Sequence, residues 1–350
     1  MQTRVAVVDA DGHVMETDDE LYEYLPPPYK GNPGVKVQSG FFPSIDGWNR
    51  SARRIADGQN RVPESPNAQD WLAFLDEAGV ACTVLYPSMG LGYGLIKDPH
   101  WAIALGQAYI DWLYDRYVRV SPRLKGAALI PLQDVDAAVR ELRRAVTELG
   151  MVAAMLPAVG PRVPLGHRSL WPVYAAAEEL DCILTVHAGA TQGLSPLEML
   201  ERLIEVRTLS HSMGQSVQMT SMIFSGVFDA FPRLRVAFAE AGCGWVPYLA
   251  ERMDLEYAHR RSQAPDLKVR PSEHLASGRI FVHCELDERG IPDAIEVLGA
   301  DSLFAASDYP HEPKREFPEN VAHFLARPDL TDEQKTRILA DNPRRMYRLN

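Results

Sequence analysis

The sequence contains few cysteines, and they lie far apart. Its 350 residues include four of them, namely Cys82, Cys182, Cys243 and Cys284. No two form the CxxC pair that is typical of zinc ribbons and of dithiol redox motifs. A chain of this length can bury a large core without disulfide bonds. We therefore interpret the four cysteines as free thiols of a cytoplasmic protein.

An excess of positive charge and long apolar runs are also missing. Lysine and arginine number 36 against 47 aspartate and glutamate residues, and the formal net charge is -11. Such a surface repels the phosphates of nucleic acids, so we expect no nucleic-acid partner. No run of about 18 apolar residues is present, so we expect no membrane-spanning helix. The first residues show no apolar signal-peptide region, which also fits a cytoplasmic location.

The sequence does contain a regular alternation of short apolar runs and longer helical patterns. The helical segments repeat apolar residues on one face, and several end at a glycine such as Gly79. Eight runs have the continuous apolar character of strands that are buried on both faces. These predicted strands are residues 5–9, 81–86, 125–130, 152–156, 183–187, 235–240, 280–284 and 303–306. The alternation predicts a (β/α)8 TIM barrel, with an open doubly wound sheet as the alternative.

Two segments interrupt this alternation. Residues 26–66 are rich in Pro, Gly, Ser and Asn, and we interpret them as an insertion arm after the first strand. Residues 188–209 form a second long connection, in which SPLEMLERLIEV predicts a short helix over the mouth of the barrel. Single barrels reach this length, so we expect residues 1–350 to form one domain. The aromatic and Pro-rich arm also leads us to expect a homodimer.

Polar side chains stand where four of the predicted strands end. In VVDADGHVMET, the residues Asp9, Asp11 and His13 alternate and are therefore expected on one face. The ends of the fifth, sixth and eighth strands carry His187, Glu240 and Asp308. Each residue alone has a structural explanation, such as a turn, a core histidine or a loop cap. Because catalytic residues of barrels come from the ends of different strands, their combination favours the barrel over the open sheet.

Two imidazoles and two carboxylates form a set that suits a divalent cation. The candidate ligands are Asp11, His13, His187 and Asp308. This set neutralises a divalent charge and can leave positions open for water or substrate. We expect zinc, with manganese as the alternative. Glu240 or His211 could then act as a general base or orient the substrate, although His211 at the start of a predicted helix could instead serve as its cap.

Four segments of the chain are DADGHVMET, LTVHAGA, FSGVFDAFPRLRVAFAEAGCGWVPYLAERMD and FAASDYPHE. Together they resemble the amidohydrolase-2 group of the amidohydrolase superfamily, which includes aminocarboxymuconate-semialdehyde and resorcylate decarboxylases. The resemblance implies a distorted barrel with one divalent metal at its C-terminal mouth. It places the metal ligands on Asp11, His13, His187 and Asp308. Where the decarboxylases usually have a histidine at the sixth strand, this chain has Glu240.

The residues leave three functions open. A decarboxylase of a small aromatic or unsaturated acid would use the metal as an electrophile, and His211 or Glu240 would protonate the carbon that loses carbon dioxide. A hydrolase of an amide, lactone or carbon–carbon bond would activate water, and Glu240 or Asp308 would accept its proton. A barrel whose site has decayed into a binding module is the third, and the complete set of candidate ligands disfavours it.

Overall fold

Eight parallel strands form the centre of the molecule. The computed structural model describes residues 5–37, 40–45, 65–189 and 197–349. Each strand pairs in parallel with the next one along the chain. The strands are β1 Val7–Val14, β2 Val80–Pro87, β3 Leu124–Leu129, β4 Ala153–Pro157, β5 Ile183–His187, β6 Val236–Ala239, β7 Ile280–His283 and β8 Leu303–Phe304. The predicted (β/α)8 barrel is confirmed.

Backbone hydrogen bonds bring β1 and the segment after β8 together. The amide of Asp308 donates to the carbonyl oxygen of Asp11 at 3.0 Å, and the amide of His13 donates to that of Tyr309 at 2.8 Å. These bonds nearly close the barrel. They also place a side chain from near the C-terminus beside two side chains from near the N-terminus, which positions the candidate site.

Helices connect the strands and cover them. The α-helices are Asp18–Tyr22, Pro33–Val37, Ala68–Ala78, Pro99–Leu113, Val135–Thr147, Trp171–Glu179, Leu203–Phe224, Val227–Ala230, Val246–Arg260, Pro271–Leu275, Ile291–Leu298, Glu316–Leu325, Asp332–Thr336 and Asn342–Tyr347. In the helix Ala68–Ala78, a capping box of Asn67 and Asp70 sets the start, and left-handed Gly79 ends it as predicted. None of the helices in the described residues is long and apolar enough to span a membrane.

The barrel interior is filled by side chains that bond to one another. The Tyr86 hydroxyl lies 2.7 Å from the hydroxyl of Thr185 and 2.9 Å from that of Tyr347. Tyr347 in turn donates to the carbonyl oxygen of Ala10 at 2.6 Å. Tyr86, Thr185 and Tyr347 are buried, and the hydroxyl group of each has a hydrogen-bond partner. The C-terminal helix is thereby joined to the strands that carry the candidate site.

The prediction of a short helix over the mouth of the barrel is wrong. The described residues instead show a 22-residue helix, Leu203–Phe224, that continues well beyond the predicted segment. His211 lies inside this helix, so the prediction that it begins and caps the helix is also wrong. Residues 190–196 of the connection lie outside the described residues.

The predicted insertion arm, residues 26–66, is described only in part. Residues 46–64 lie outside the described residues. Before them, Phe41 and Phe42 are buried, and the indole nitrogen of Trp101 donates to the carbonyl oxygen of Phe41 at 3.1 Å. The beginning of the arm therefore packs against the helix that follows β2 and contributes to the core.

Candidate metal centre and active site

The polar residues of β1 do not all share one face. The pairing of β1 with β2 shifts register between Asp9 and Gly12, which is the signature of a bulge. A Cβ atom added at Gly12 would lie 3.0 Å from Oδ2 of Asp9, so these two residues are on the same side. Asp9 accepts hydrogen bonds from the amide and the hydroxyl of Ser307, both at 2.8 Å. The prediction that Asp9 accompanies Asp11 and His13 is wrong.

His13 lies at the centre of the site, with its ring nitrogens in different surroundings. Its side chain is fully buried, and Nδ1 donates to the carbonyl oxygen of Pro87 at 2.9 Å. Nε2 has no hydrogen-bond partner within the described structure. Burial, reinforced by the charge of His311, lowers the pKa of His13 to about 3, so the ring is neutral. Nε2 therefore presents a lone pair, as imidazole does when it binds a metal.

His187 and Asp11 meet beside this ring. His187 ends β5, and its Nε2 lies 3.1 Å from Oδ2 of the buried Asp11. Its Nδ1 donates to the carbonyl oxygen of Ala188 at 2.9 Å. Burial alone would lower the pKa of His187, but the charge and hydrogen bond of Asp11, with the charge of Glu240, raise it to about 10. The chain thus concentrates negative charge here, where a bound cation would neutralise it.

Asp308 follows β8 in a left-handed backbone conformation, with φ of 50°. A residue other than glycine adopts this conformation at an energetic cost, and such residues cluster at functional sites. Oδ1 of Asp308 lies 3.4 Å from Nε2 of His13 and accepts a hydrogen bond of 2.8 Å from Nδ1 of His311. Burial raises the pKa of Asp308 to about 6, and the charge of His311 opposes this rise. The fold thus directs a partly buried carboxylate towards the nitrogen of His13 that has no hydrogen-bond partner in the described residues.

Glu240 follows β6 with the same unusual conformation, at φ of 60°. Its Oε2 lies 3.3 Å from Nδ1 of His187, and its Oε1 lies 3.6 Å from Nε2 of His211. Burial by itself would raise the pKa of Glu240, but the neighbouring His211 and the charge of His187 hold it well below its usual range. Glu240 is therefore an ionised carboxylate between a candidate ligand and a second histidine.

The donor atoms have the spacing of a metal centre. Nε2 of His13 lies 3.5 Å from Oδ1 of Asp11, and the other neighbouring donor pairs are 3.1 and 3.4 Å apart. Donors that bind zinc at roughly 2.1 Å with tetrahedral angles are about 3.4 Å apart. In the described part of the chain, no lysine or arginine pairs with Asp11, Glu240 or Asp308. The unpartnered Nε2 and the uncompensated carboxylates fit a divalent cation.

A cleft of about 470 Å³ opens from the candidate ligands. Asp11, Glu240 and Asp308 line it together with His211. Within the described part of the chain, Arg207 on the long helix is the one arginine in the lining. Additional carboxylates come from the loops after β7 and β8 and from the following helix, namely Glu285, Asp287, Glu288, Glu312 and Glu316. This volume is in the range of sites that bind small molecules.

The structure brings all of the predicted site residues together, and it adds two. The predicted residues are Asp11, His13, His187, His211, Glu240 and Asp308. His311 stacks on His13, with ring centroids 4.1 Å apart, and its Nε2 lies 2.8 Å from Oγ of Ser88. The spacing of His311 three residues after Asp308 was the available signal for it. Ser88 follows β2 with no distinguishing pattern in the sequence.

Comparisons with known proteins agree with this arrangement. A gamma-resorcylate decarboxylase of Polaromonas sp. (strain JS666 / ATCC BAA-500) is 24% identical over 330 residues, which are 89% of this chain and 94% of that protein. The structure of a 5-carboxyvanillate decarboxylase from Sphingomonas paucimobilis has a TM-score of 0.76 at 20% identity and covers 99% of this chain and 100% of the other. A dihydroxybenzoic acid decarboxylase from Polaromonas sp. JS666, with bound manganese and the inhibitor 2-nitroresorcinol, has a TM-score of 0.71 at 18% identity, covering 99% and 98%.

The similarity of the solved structures supports the barrel fold. The match to a family is more extensive than any single motif, because the model of the amidohydrolase family covers residues 8–349. This range includes every strand of the barrel except the first residue of β1. The chain therefore belongs to the amidohydrolase family of enzymes, as its motifs predicted.

Proposed function

We propose that the chain is a metal-dependent decarboxylase of a small aromatic carboxylic acid. The observation that carries this proposal is Nε2 of His13, which has no hydrogen-bond partner in the described residues and lies within 3.5 Å of carboxylate oxygens of Asp11 and Asp308, two residues that line the cleft. Decarboxylases of aromatic acids among the related proteins support the reaction class. This chain has Glu240 where the decarboxylases usually have a histidine. Position 240 is not one of the candidate ligands, so this difference leaves the proposed metal centre complete.

In this proposal, four side chains hold one divalent metal. They are Asp11, His13, His187 and Asp308. A bound divalent metal would supply an electrophile for the substrate carboxylate and an adjacent oxygen. The mixed nitrogen and oxygen donors suit zinc and manganese. Manganese in the related dihydroxybenzoic acid decarboxylase supports manganese for this site, and our expectation of zinc stays a prediction.

His211 and Glu240 are the groups that we assign to proton transfer. Both line the cleft, and they are 3.6 Å apart. We assign to His211 the proton that replaces the departing carboxyl group on carbon. Glu240, an ionised carboxylate 3.6 Å from Nε2 of His211, attracts and orients the imidazole. Both groups lie on rigid elements of the barrel, which keeps the proton donor in place.

Hydrolysis through metal-activated water is the second candidate. The specific observation in its favour is Glu240, an ionised carboxylate where the decarboxylases usually have a histidine, because carboxylates accept the proton of water at metal sites. In that reaction Glu240 or Asp308 would be the general base. The two candidates differ in their product, since only decarboxylation releases carbon dioxide from an aromatic acid.

The first experiment measures metal content and carbon dioxide release. The wild type and the variants His13→Ala, His187→Ala and His323→Ala are purified without chelators or a histidine tag, and metals are quantified by plasma mass spectrometry. We expect about one metal per chain, lost in the first two variants and retained in the third, whose histidine is exposed on the helix Glu316–Leu325. Metal-loaded protein is then assayed with hydroxylated benzoates. Absence of metal after supplementation contradicts the metal centre, and hydrolysis of lactones without carbon dioxide release supports the second candidate.

We also propose that the chain forms a homodimer through the insertion arm. The aromatic and Pro-rich composition of the arm supports this proposal. Light scattering after gel filtration at micromolar concentration measures the mass of the protein in solution. The mass of a monomer would contradict the proposed homodimer.

A further inference from the structure

His283 is a buried histidine that the proposed chemistry does not use. It is the last residue of β7, and only 4% of its surface is exposed. Its ring packs against that of Phe304 on β8, with centroids 5.7 Å apart, and the residue lines the cleft. His283 therefore faces the space that a substrate would fill.

The imidazole of His283 lacks a hydrogen-bond partner in the described part of the chain. Nδ1 is completely buried and has no partner. A carboxylate oxygen of Glu285 lies 3.8 Å away, which is too far for a hydrogen bond. Buried polar atoms without partners are rare in folded proteins, because each one loses its bonds to water without replacement. The other ring nitrogen, Nε2, has no hydrogen bond in the described residues either, and because the residue lines the cleft, a ligand there is a natural partner for Nε2.

The surroundings of His283 restrict the chemistry of that ligand. In addition to Asp11, Glu240 and Asp308, five carboxylates line the same cleft, and they are Glu285, Asp287, Glu288, Glu312 and Glu316. Glu288 is occupied, because it accepts hydrogen bonds from the amides of Cys243 and Gly244. The others make this part of the cleft acidic, and among the described residues that line it, Arg207 supplies the one guanidinium opposing them. A second carboxylate on the substrate would be repelled here, whereas a hydroxyl or amino group would not.

We propose that His283 is a specificity-determining residue that hydrogen-bonds a hydroxyl or amino group at the end of the substrate remote from the metal-binding carboxylate. This inference rests on the proposed function. It makes the preferred substrate an aromatic monocarboxylic acid with a donor group at its far end, and it makes a dicarboxylic acid a poor ligand. The carboxylate at the inner end lies among the four candidate ligands, and the donor group lies beside β7.

The test is the affinity of metal-loaded protein for a set of substituted benzoates. Isothermal titration calorimetry compares benzoate, 3-hydroxybenzoate, 4-hydroxybenzoate, isophthalate and terephthalate. We expect the wild type to bind one of the hydroxybenzoates about tenfold more tightly than benzoate, which is the effect of one buried hydrogen bond. His283→Phe removes this preference, and His283→Asn, which keeps polar atoms, retains part of it. His323→Phe is the control at an exposed site.

Metal content and circular dichroism of each variant show whether the site and the fold are intact. An unchanged hydroxybenzoate preference in His283→Phe overturns the inference. Tighter binding of isophthalate or terephthalate than of benzoate also overturns it. That result would indicate that Arg207 binds the second carboxylate, and an Arg207→Gln variant would then lose the tighter binding. If benzoate and all its derivatives fail to bind the metal-loaded wild type, the proposed function fails and this inference fails with it.

Discussion

The carboxylate of Asp308 is held by hydrogen bonds that begin outside the candidate ligand set. Nδ1 of His311 donates to it, Nε2 of His311 lies 2.8 Å from the hydroxyl of Ser88, and the amide of Ser88 donates to Glu16 at 3.1 Å. The imidazole also stacks on His13. Side chains of this kind fix the orientation of metal ligands, and losing one weakens metal binding. At the scale of residues, the site thus extends to groups that touch neither metal nor substrate.

His311→Ala should therefore weaken metal binding while leaving the barrel folded. The expected loss of affinity is roughly 10- to 100-fold, because the carboxylate of Asp308 loses its partner and His13 its stacked neighbour. Competition with a fluorescent chelator measures the dissociation constant, with His323→Ala as the matched control. Equal affinities for the two variants would show that His311 does not position the ligand.

Glu16 gives a prediction about pH. Its buried carboxylate accepts hydrogen bonds from the amides of Ser88 and Gly90, which lower its pKa. Burial has the larger effect and raises the pKa from 4.5 to about 7. The folded state therefore holds the proton more tightly than the unfolded state. Protonated Glu16 therefore stabilises the folded state fully below about pH 4.5, and this stabilisation is lost as the pH rises through 7. The loss in the free energy of unfolding is on the order of 3 kcal/mol.

Glu16→Gln removes this titration, because the amide stays neutral. Urea unfolding at several pH values measures the free energy of unfolding of both proteins. The stability of the wild type relative to Glu16→Gln should fall between pH 4.5 and pH 8. A difference that stays constant with pH would show that Glu16 does not titrate in this range.

At the scale of elements, the strands were predictable and the local departures from them were not. Continuous apolar runs mark strands that are buried on both faces, and β5 has the predicted bounds. The bulge in β1 depends on contacts with β2 and with Trp71, which the alternation of residues does not encode. Likewise, the long helix begins at Leu203 after Arg202, whose backbone amide donates to the carboxylate of Glu205 at 3.0 Å, and this start lacks the usual Ser or Thr signal.

The candidate ligands were predictable for a related reason. Asp11, His13, His187 and Asp308 are charged or polar residues at or just after the ends of apolar strands, and one shared site accounts for them more simply than four separate structural roles. His283 also ends a strand, but the role that we propose for it depends on its place in the cleft lining and on an imidazole without a hydrogen-bond partner in the described residues, which only the packed structure shows. The left-handed backbone of Glu240 and Asp308 is equally invisible in the sequence, because neither residue type demands it.

Gly12→Ala tests the bulge of β1. A Cβ at this position would lie 2.4 Å from the ring of Trp71 and 2.7 Å from Oγ1 of Thr83, both in the packed core. We expect a loss of about 1–3 kcal/mol in the free energy of unfolding, together with weaker metal binding because Asp11 and His13 flank the glycine. Gly214→Ala is the control, since its Cβ meets only ordinary contacts at 3.4 Å within a helix. Equal stability of the two variants would exclude tight packing at the bulge.

At the scale of the whole molecule, the candidate ligands connect distant parts of the chain. Asp11 and His13 come from β1, His187 comes from β5 and Asp308 follows β8. Segments almost 300 residues apart thus contribute to one centre, and the backbone bonds between Asp308 and Asp11 join them further. A metal bound there would be bound only by the folded barrel, so its binding free energy would add to the stability of the whole domain.

Metal removal should therefore lower the stability of the entire barrel in one step. For a metal at 100 times its dissociation constant, the stabilisation is about 2.7 kcal/mol. Differential scanning calorimetry of the metal-loaded and chelator-treated wild type measures it, and we expect one transition at a lower temperature after chelation. His13→Ala should unfold at the same temperature with and without metal, because its centre has lost the lone pair that meets the carboxylates. Two separate transitions, with only one shifted by metal, would contradict both a single domain over residues 1–350 and a centre shared by β1, β5 and β8.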